Sequence, residues 1–282
     1  MNIDINTKFI TLIGTPLSQS YAAAMQNAAY EAMGLNYCYF YTERDSTHLE
    51  AILNGVRHMN FAGCAVTKPN KVNVMKYLDE TDPLCALAGS SNTIVIKDGK
   101  LIGHNTDATG FFRALVEKHG SVAGKKVFCF GAGGVGRAII MALADGKASK
   151  IFISDYFNDA AQKMANDVNA HFANVGVYVP FETFEHIDEA SIVINATGIG
   201  MAPHLGETPL PEKYVRSDAF YFDACYNPEK TQFLLNAEKA GAEILNGLSM
   251  SLYQGVDQIR LWTGEEPPVE IMRQTLEKIT AK

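Results

Sequence analysis

Short apolar runs alternate with longer segments of helical pattern along the whole chain. Phe9-Ile10-Thr11-Leu12-Ile13 reads as a strand broken by Gly14-Thr15-Pro16, and the pattern then predicts a helix from about Tyr21 to Met33. Asn36 to Tyr41 is the next strand and Thr47 to Val56 the next helix. Phe61 to Val66 is a third apolar run, closed by Thr67-Lys68-Pro69, with Pro69 placed where a helix can begin. This alternation predicts a parallel sheet with right-handed crossovers. Thr93 to Ile96, Asp98-Gly99 and Lys100 to Gly103 predict a hairpin, because Asp-Gly favours the turns that match strand twist. His104-Asn105-Thr106-Asp107 precedes a helix predicted from Ala108 to about Lys118.

The alternation resumes at Val127. Strands are predicted at Val127 to Phe130, Ile151 to Ser154, Val177 to Val179, Ile192 to Ile194, Ala219 to Asp223 and Ile244 to Leu245. Helices fall at Gly134 to Ala144, Asp159 to Ala170 and Thr231 to Ala240, which together describe a doubly wound unit. Met250 to Trp262 and Val269 to Ile279 read as two helices with no strand between them, so they are expected to pack back on one of the domains. The fold class expected is α/β in two domains: an N-terminal α/β domain with a mainly parallel sheet, and a Rossmann-type doubly wound domain.

A length of 282 residues suits two domains, and a hydrophobic fraction of 47% supplies a sizeable core. The net charge of −7 and the lack of any basic block argue against a nucleic-acid or anionic-membrane surface. Met1-Asn2-Ile3-Asp4 shows no charged leader followed by an apolar segment, and the apolar stretch Val127 to Ala144 is interrupted by glycines and Arg137. A cytoplasmic location is expected. The five cysteines, Cys38, Cys64, Cys85, Cys129 and Cys225, are scattered and read as reduced and mostly buried. The seven histidines form no pair at ligand spacing, so no metal site is expected.

The strand-turn-helix around Gly131-Ala132-Gly133-Gly134-Val135-Gly136 carries the first chemical suggestion. Glycines let a backbone turn sharply and approach a pyrophosphate at the positive end of a helix. Glycines also serve turns for geometry alone, and both roles can hold together. Asp155, ending the next strand, stands where a dinucleotide fingerprint expects a carboxylate for the ribose hydroxyls.

In order along the chain, Gly14-Thr15-Pro16-Leu17, Val66-Thr67-Lys68-Pro69-Asn70-Lys71, Ser91-Asn92-Thr93, Gly103 to Phe111, the glycine turn, Asn195-Ala196-Thr197, Asp223 to Pro228, and Gly247-Leu248-Ser249-Met250 with Gln254 match one family. The chain resembles the shikimate dehydrogenases, including the broader quinate/shikimate dehydrogenase group, over nearly its whole length. The resemblance implies a substrate and catalytic domain of residues 1–113 plus 249–282 and a dinucleotide domain of 114–248. It implies that Lys71 and Asp107 form the catalytic pair, whereas the residues alone read as a solvated lysine in a first helical turn and a helix N-cap. It further implies substrate contacts at Ser20, Thr67, Asn92, Tyr226 and Gln254, and a cofactor side formed by Gly131, Ala132, Gly133, Gly134, Val135, Asp155, Thr197, Ala224 and Gly247. The implied partner is a small cyclic hydroxy-carboxylate, and a homodimer stays open. A competing class is a protein that keeps the fold to sense a dinucleotide or metabolite without turnover.

The chain departs from the family in two places. Resembling proteins bind the substrate carboxylate with Ser-x-Ser; aligning Gly14, Pro16 and Asn27 puts Ser20 at the first position but Ala22 at the second. The usual asparagine before the motif threonine is Ala65, and the usual histidine before Asn27 is Gln26. Each lost donor removes a hydrogen bond, so two losses are expected to cost roughly tenfold to a few hundredfold in shikimate affinity. Where NADP-using members carry Asn-Arg-Thr, this chain has Asp155-Tyr156-Phe157. A carboxylate there repels a 2′-phosphate, so NAD is the cofactor expected, with NADP disfavoured.

Overall fold

The computed structural model describes residues 3–280, which fall into two compact units. One runs up to Gly110 and resumes at Ser251; the other spans Phe111–Met250. Both changes of unit lie inside helices, a few residues from the boundaries drawn on the sequence.

The first unit is built from β1 (Lys8–Gly14), α1 (Ala22–Ala32), β2 (Tyr37–Glu43), α2 (Leu49–Arg57), β3 (Phe61–Val66), α3 (Asn70–Asn73), β4 (Glu80–Thr81), α4 (Pro83–Ala88), β5 (Thr93–Lys97) and β6 (Lys100–His104). Its sheet runs β2-β1-β3-β5-β6-β4. β1 pairs in parallel with β2 and β3, and the β5–β6 hairpin adds antiparallel strands, so the sheet is mixed beyond β3. One face is covered by α2, whose Leu49, Leu53 and Val56 recur at helical spacing and pack with Cys64 and Val66 of β3. Alternation along β3 then turns Ala65 to the other face. Gly14 at the end of β1 has to be a glycine, because a Cβ there would run into the Thr67 side chain and the Lys68 carbonyl.

Helix α5 (Thr106–His119) leads into the second unit: β7 (Lys126–Phe130), α6 (Gly134–Asp145), β8 (Lys150–Ser154), α7 (Asn158–His171), β9 (Gly176–Tyr178), β10 (Ile192–Asn195), β11 (Phe220–Asp223), α8 (Gln232–Lys239) and β12 (Glu243–Leu245). All six strands are parallel in the order β12-β11-β10-β7-β8-β9. This is the doubly wound order, with its switch point between β7 and β10. The four inner strands are buried on both faces, and Phe128, Phe130, Phe152, Val193 and Tyr221 form one core with Phe233 and Leu234 of α8.

Helices α9 (Leu248–Thr263) and α10 (Val269–Thr280) close the chain. α10 packs against α1, and the Trp262 indole donates to the Ile94 carbonyl at 3.0 Å, so these helices complete the first unit. The five cysteines are free thiols, four of them buried. No helix among the described residues is long and apolar enough to cross a membrane.

Candidate active site

In the first unit, strand ends and short helices converge on Lys71 and Asp107. After β3, the Thr67 amide donates to the Ile13 carbonyl and its own carbonyl accepts from Asn70, which starts the single turn of α3 that carries Lys71. The Lys71 carbonyl accepts the Ser91 amide at 2.9 Å, tying this turn to the segment before β5. Asp107 lies in the first turn of α5. It does not serve as the cap: the Asn105 side chain accepts the Ala108 amide at 3.3 Å, leaving the Asp107 carboxylate available. Lys71 Nζ donates to Asp107 Oδ2 at 2.6 Å, with the two side chains only 12% and 4% exposed.

A buried ion pair of this kind is costly to desolvate and survives only when its remaining hydrogen-bonding capacity is met. Asn92 meets it on the carboxylate side, donating from Nδ2 to Asp107 Oδ1 at 3.0 Å and also to Gln254 Oε1 at 3.0 Å. The Thr106 amide donates to Asn92 Oδ1 at 2.7 Å, which fixes the amide with its NH2 toward the carboxylate. Lys71, Asp107, Asn92 and Gln254 thus form one hydrogen-bonded cluster.

Ser20 and Thr67 are not hydrogen-bonded to that cluster in the contacts observed. The Ser20 hydroxyl accepts the Ala22 amide at 3.3 Å, and its carbonyl accepts the Tyr41 hydroxyl at 2.7 Å. The same Tyr41 oxygen accepts the Ala23 amide at 3.1 Å. The start of α1 is therefore capped by the protein's own hydroxyls, and the methyl groups of Ala22 and Ala65 add no donor.

In the second unit, Gly131 follows β7 with a φ of +103°, and a Cβ there would stand 2.7 Å from the Ala196 carbonyl carbon. Gly136 packs against the Gly131 carbonyl so closely that no side chain fits. Gly133 is the N-cap of α6 and faces open space, the arrangement a pyrophosphate needs at the positive end of a helix. Asp155 reaches back to this turn: Oδ2 accepts the Ala132 amide at 2.7 Å and Oδ1 the Phe157 amide at 2.8 Å. Thr197 donates to Asn195 Oδ1 at 2.6 Å, and Gly247 lies so near the Ala224 carbonyl that a Cβ is excluded. Tyr226 is half-buried after β11.

Sequence reasoning missed two buried networks. Asn195, Thr231 and the Cys225 amide all donate to the fully buried Asp223. Burial pushes the Asp223 carboxyl upward, against the pull of those hydrogen bonds. In the first unit, Thr93, Thr106, Gln258 and Gln26 extend from Asn92. The one signal in the sequence is that Gln258 follows Gln254 by four residues and so shares its helix face.

Known proteins resemble this chain over nearly its whole length. Residues 12–94 match the family model for the shikimate dehydrogenase substrate binding domain, and residues 247–277 the shikimate 5′-dehydrogenase C-terminal domain. A shikimate dehydrogenase (NADP(+)) of Methanocaldococcus jannaschii is 38% identical, covering 99% of each chain. A shikimate dehydrogenase solved in complex with NADP+ superposes with a TM-score of 0.93 at 36% identity, covering 100% of this chain and 98% of its own. The Listeria monocytogenes shikimate 5-dehydrogenase, solved with shikimate and NAD, gives 0.90 at 38% identity over 98% of both chains.

These relatives correct the cofactor expectation. NAD was expected from Asp155, but similar proteins are named for NADP(+). The geometry offers a second role for the acid: each Asp155 oxygen accepts a backbone amide of its own unit, so the carboxylate clasps the glycine turn and its residue type alone does not fix the nucleotide. Similarity over almost every residue, with both family models matched in their proper places, shows that the chain belongs to the shikimate dehydrogenase family.

Proposed function

We propose that this oxidoreductase interconverts shikimate, or a close cyclic polyhydroxy carboxylate, and its 3-dehydro ketone with NADP(H). The observation that carries the reading is the buried Lys71–Asp107 pair. A bound dinucleotide supplies the hydride acceptor for oxidation and the donor for reduction. Gly131 to Val135, with Thr197, Ala224 and Gly247, are assigned to hold it, and the open face at Gly133 is where the pyrophosphate fits.

Hydride transfer leaves a proton to be handled at the substrate oxygen, and Lys71 is the group for it. In reduction its ammonium donates a proton to the oxygen of the ketone; in oxidation its amine takes the hydroxyl proton back. Asp107 orients Nζ and balances its charge. Asn92 and Gln254 are assigned to ring hydroxyls, as are Thr67 and Tyr226, and Ser20 to the carboxylate.

Replacing Lys71 by alanine tests the assignment. The Lys71→Ala variant should lose about 100-fold or more in kcat, while shikimate binding by calorimetry changes far less. Unchanged turnover with NADP and shikimate would remove Lys71 from the mechanism. A second test uses the capped start of α1. Ala22→Ser restores a hydroxyl beside Ser20 and should lower the KM for shikimate about threefold to tenfold with little change in kcat. An unaltered KM would place the carboxylate elsewhere.

A further inference from the structure

Beyond the reacting pair, a chain of buried amides and hydroxyls runs from helix α9 to Asp107. Its far end is fixed by a group that can only accept: the Gly255 carbonyl receives Gln26 Nε2 at 3.3 Å. Gln26 must therefore point its NH2 this way, and the same nitrogen donates to Gln258 Oε1 at 3.1 Å. With its oxygen so committed, Gln258 turns its own NH2 toward Thr93, donating to Oγ1 at 3.0 Å. Thr93 Oγ1, having accepted there, has its proton within reach of Asn92 Oδ1 at 3.0 Å and of Thr106 Oγ1 at 3.1 Å, and Thr106 Oγ1 itself lies 3.2 Å from Asn92 Oδ1, so both routes end on the Asn92 oxygen. Asn92 is the residue whose NH2 holds Asp107 Oδ1.

We infer that Gln258 is a positioning residue for the Lys71–Asp107 pair: its side-chain amide, held in one orientation by Gln26 and the Gly255 carbonyl, aims the Thr93 hydroxyl at Asn92. Three donors, the Thr106 amide, the Thr106 hydroxyl and the Thr93 hydroxyl, then converge on Asn92 Oδ1. Donation into an amide oxygen polarises the amide and strengthens its N–H as a donor, here toward Asp107. Gln258 and Gln26 are 1% and 0% exposed, so water does not replace either partner. One detail shows that the arrangement is kept at a cost: Gln26 Oε1 is buried with no hydrogen-bond partner. Ala65, on the strand beside Thr93, has only a methyl group, and the amide function at this side of the sheet comes from Gln258.

The inference rests on the assignment of Lys71 and Asp107 to the reaction, and a double-mutant cycle tests it. Gln258→Met keeps the side chain's length but removes the donor; Thr93→Val removes the hydroxyl it addresses. Each should lower kcat about threefold to tenfold while the KM for NADP stays unchanged. If the effect passes through Thr93, the double variant loses no more than the worse single one. A kcat within twofold of the parent in folded Gln258→Met, or losses that multiply in the double variant, would overturn the inference. Gln258→Glu gives an independent reading should the methionine variant not fold. Its ionised side chain keeps the acceptor for Gln26 but cannot donate to Thr93, so its activity relative to the parent should recover as pH falls into the carboxyl range. No recovery would mean that Gln258 only fills space. Full turnover by Lys71→Ala would remove the pair itself; an inactive Lys71→Ala beside a normal Gln258→Met would remove only Gln258.

Discussion

Gly131 and Gly133 stand two residues apart in one turn, yet a methyl group at each meets different physics. At Gly131 it meets a positive φ and the Ala196 backbone, a combination of strain and overlap that should destabilise the fold by about 1 to 3 kcal/mol. At Gly133 the backbone is extended and the space beyond it open, so Gly133→Ala should change stability by less than about 1 kcal/mol. Its methyl group would instead stand in the open space proposed for the pyrophosphate. Thermal melting and NADP titration of both variants separate the two roles: Gly131→Ala should melt early, and Gly133→Ala should melt normally but bind NADP at least tenfold more weakly. Normal NADP affinity in Gly133→Ala would place the dinucleotide away from this turn. The spacing of these glycines, and the phosphate chemistry it suggests, are legible in the sequence. Which glycine serves packing is not, because the clashing atoms come from Ala196 after β10. Asp155 met the same limit, since its residue type is readable and its backbone partners are not.

At the scale of elements, most boundaries follow from apolar spacing and turn residues, but the segment between α3 and β5 does not announce itself. Helix α4 is a short apolar stretch with Asp82 as N-cap, accepting the Cys85 amide at 2.6 Å, Pro83 in its first turn, and Gly89 ending it at a φ of 59°. Each signal is visible in the sequence, yet six residues give too little periodicity to outweigh a loop reading. The helix matters to the site because Ser90, Ser91 and Asn92 follow directly. Asp82 does double service, for its second oxygen meets His104 Nδ1 at 2.7 Å, just before the segment that carries Asp107. Burial raises the Asp82 carboxyl, but the hydrogen bonds from His104 and the Cys85 amide outweigh it and hold the group below its ordinary 3.8. A lowered folded-state value means that stabilisation is present above 3.8 and is lost as pH falls through the lower value. Asp82→Ala should therefore cost about 1 to 2 kcal/mol at neutral pH, and Asp82→Asn, which can still cap, less. In urea unfolding followed by circular dichroism, the gap between parent and Asp82→Asn should narrow on acidification below 3.8. A gap that stays constant would detach the stabilisation from the charge.

For the whole molecule, the alternation of strands and helices discloses two α/β units, and the all-parallel second sheet follows from continuous apolar runs that only double burial explains. The route by which the chain returns to the first unit is less legible. Helices α9 and α10 have helical periodicity but no local feature that names their partner, and α1, against which α10 packs, lies at the opposite end of the sequence. The Gln26–Gln258 contact was hidden for the same reason: neither residue has meaning until those ends meet. Met272 and Leu276 are the buried residues of α10, at 0% and 2% exposure. Leu276→Ala should destabilise the first unit by about 2 to 5 kcal/mol, the range for a truncated core leucine. Because the second unit has a core of its own, built on Phe128, Phe152 and Tyr221, the loss should be confined. Native-state hydrogen exchange then reads the outcome segment by segment. Amides of β1, β3 and α1 should exchange faster in Leu276→Ala, and those of β7, β8 and β10 at the parent rate. Equal acceleration in both sheets would mean that the chain unfolds as one cooperative body, and that its last helix stabilises the second unit as well as the unit that carries Lys71 and Asp107.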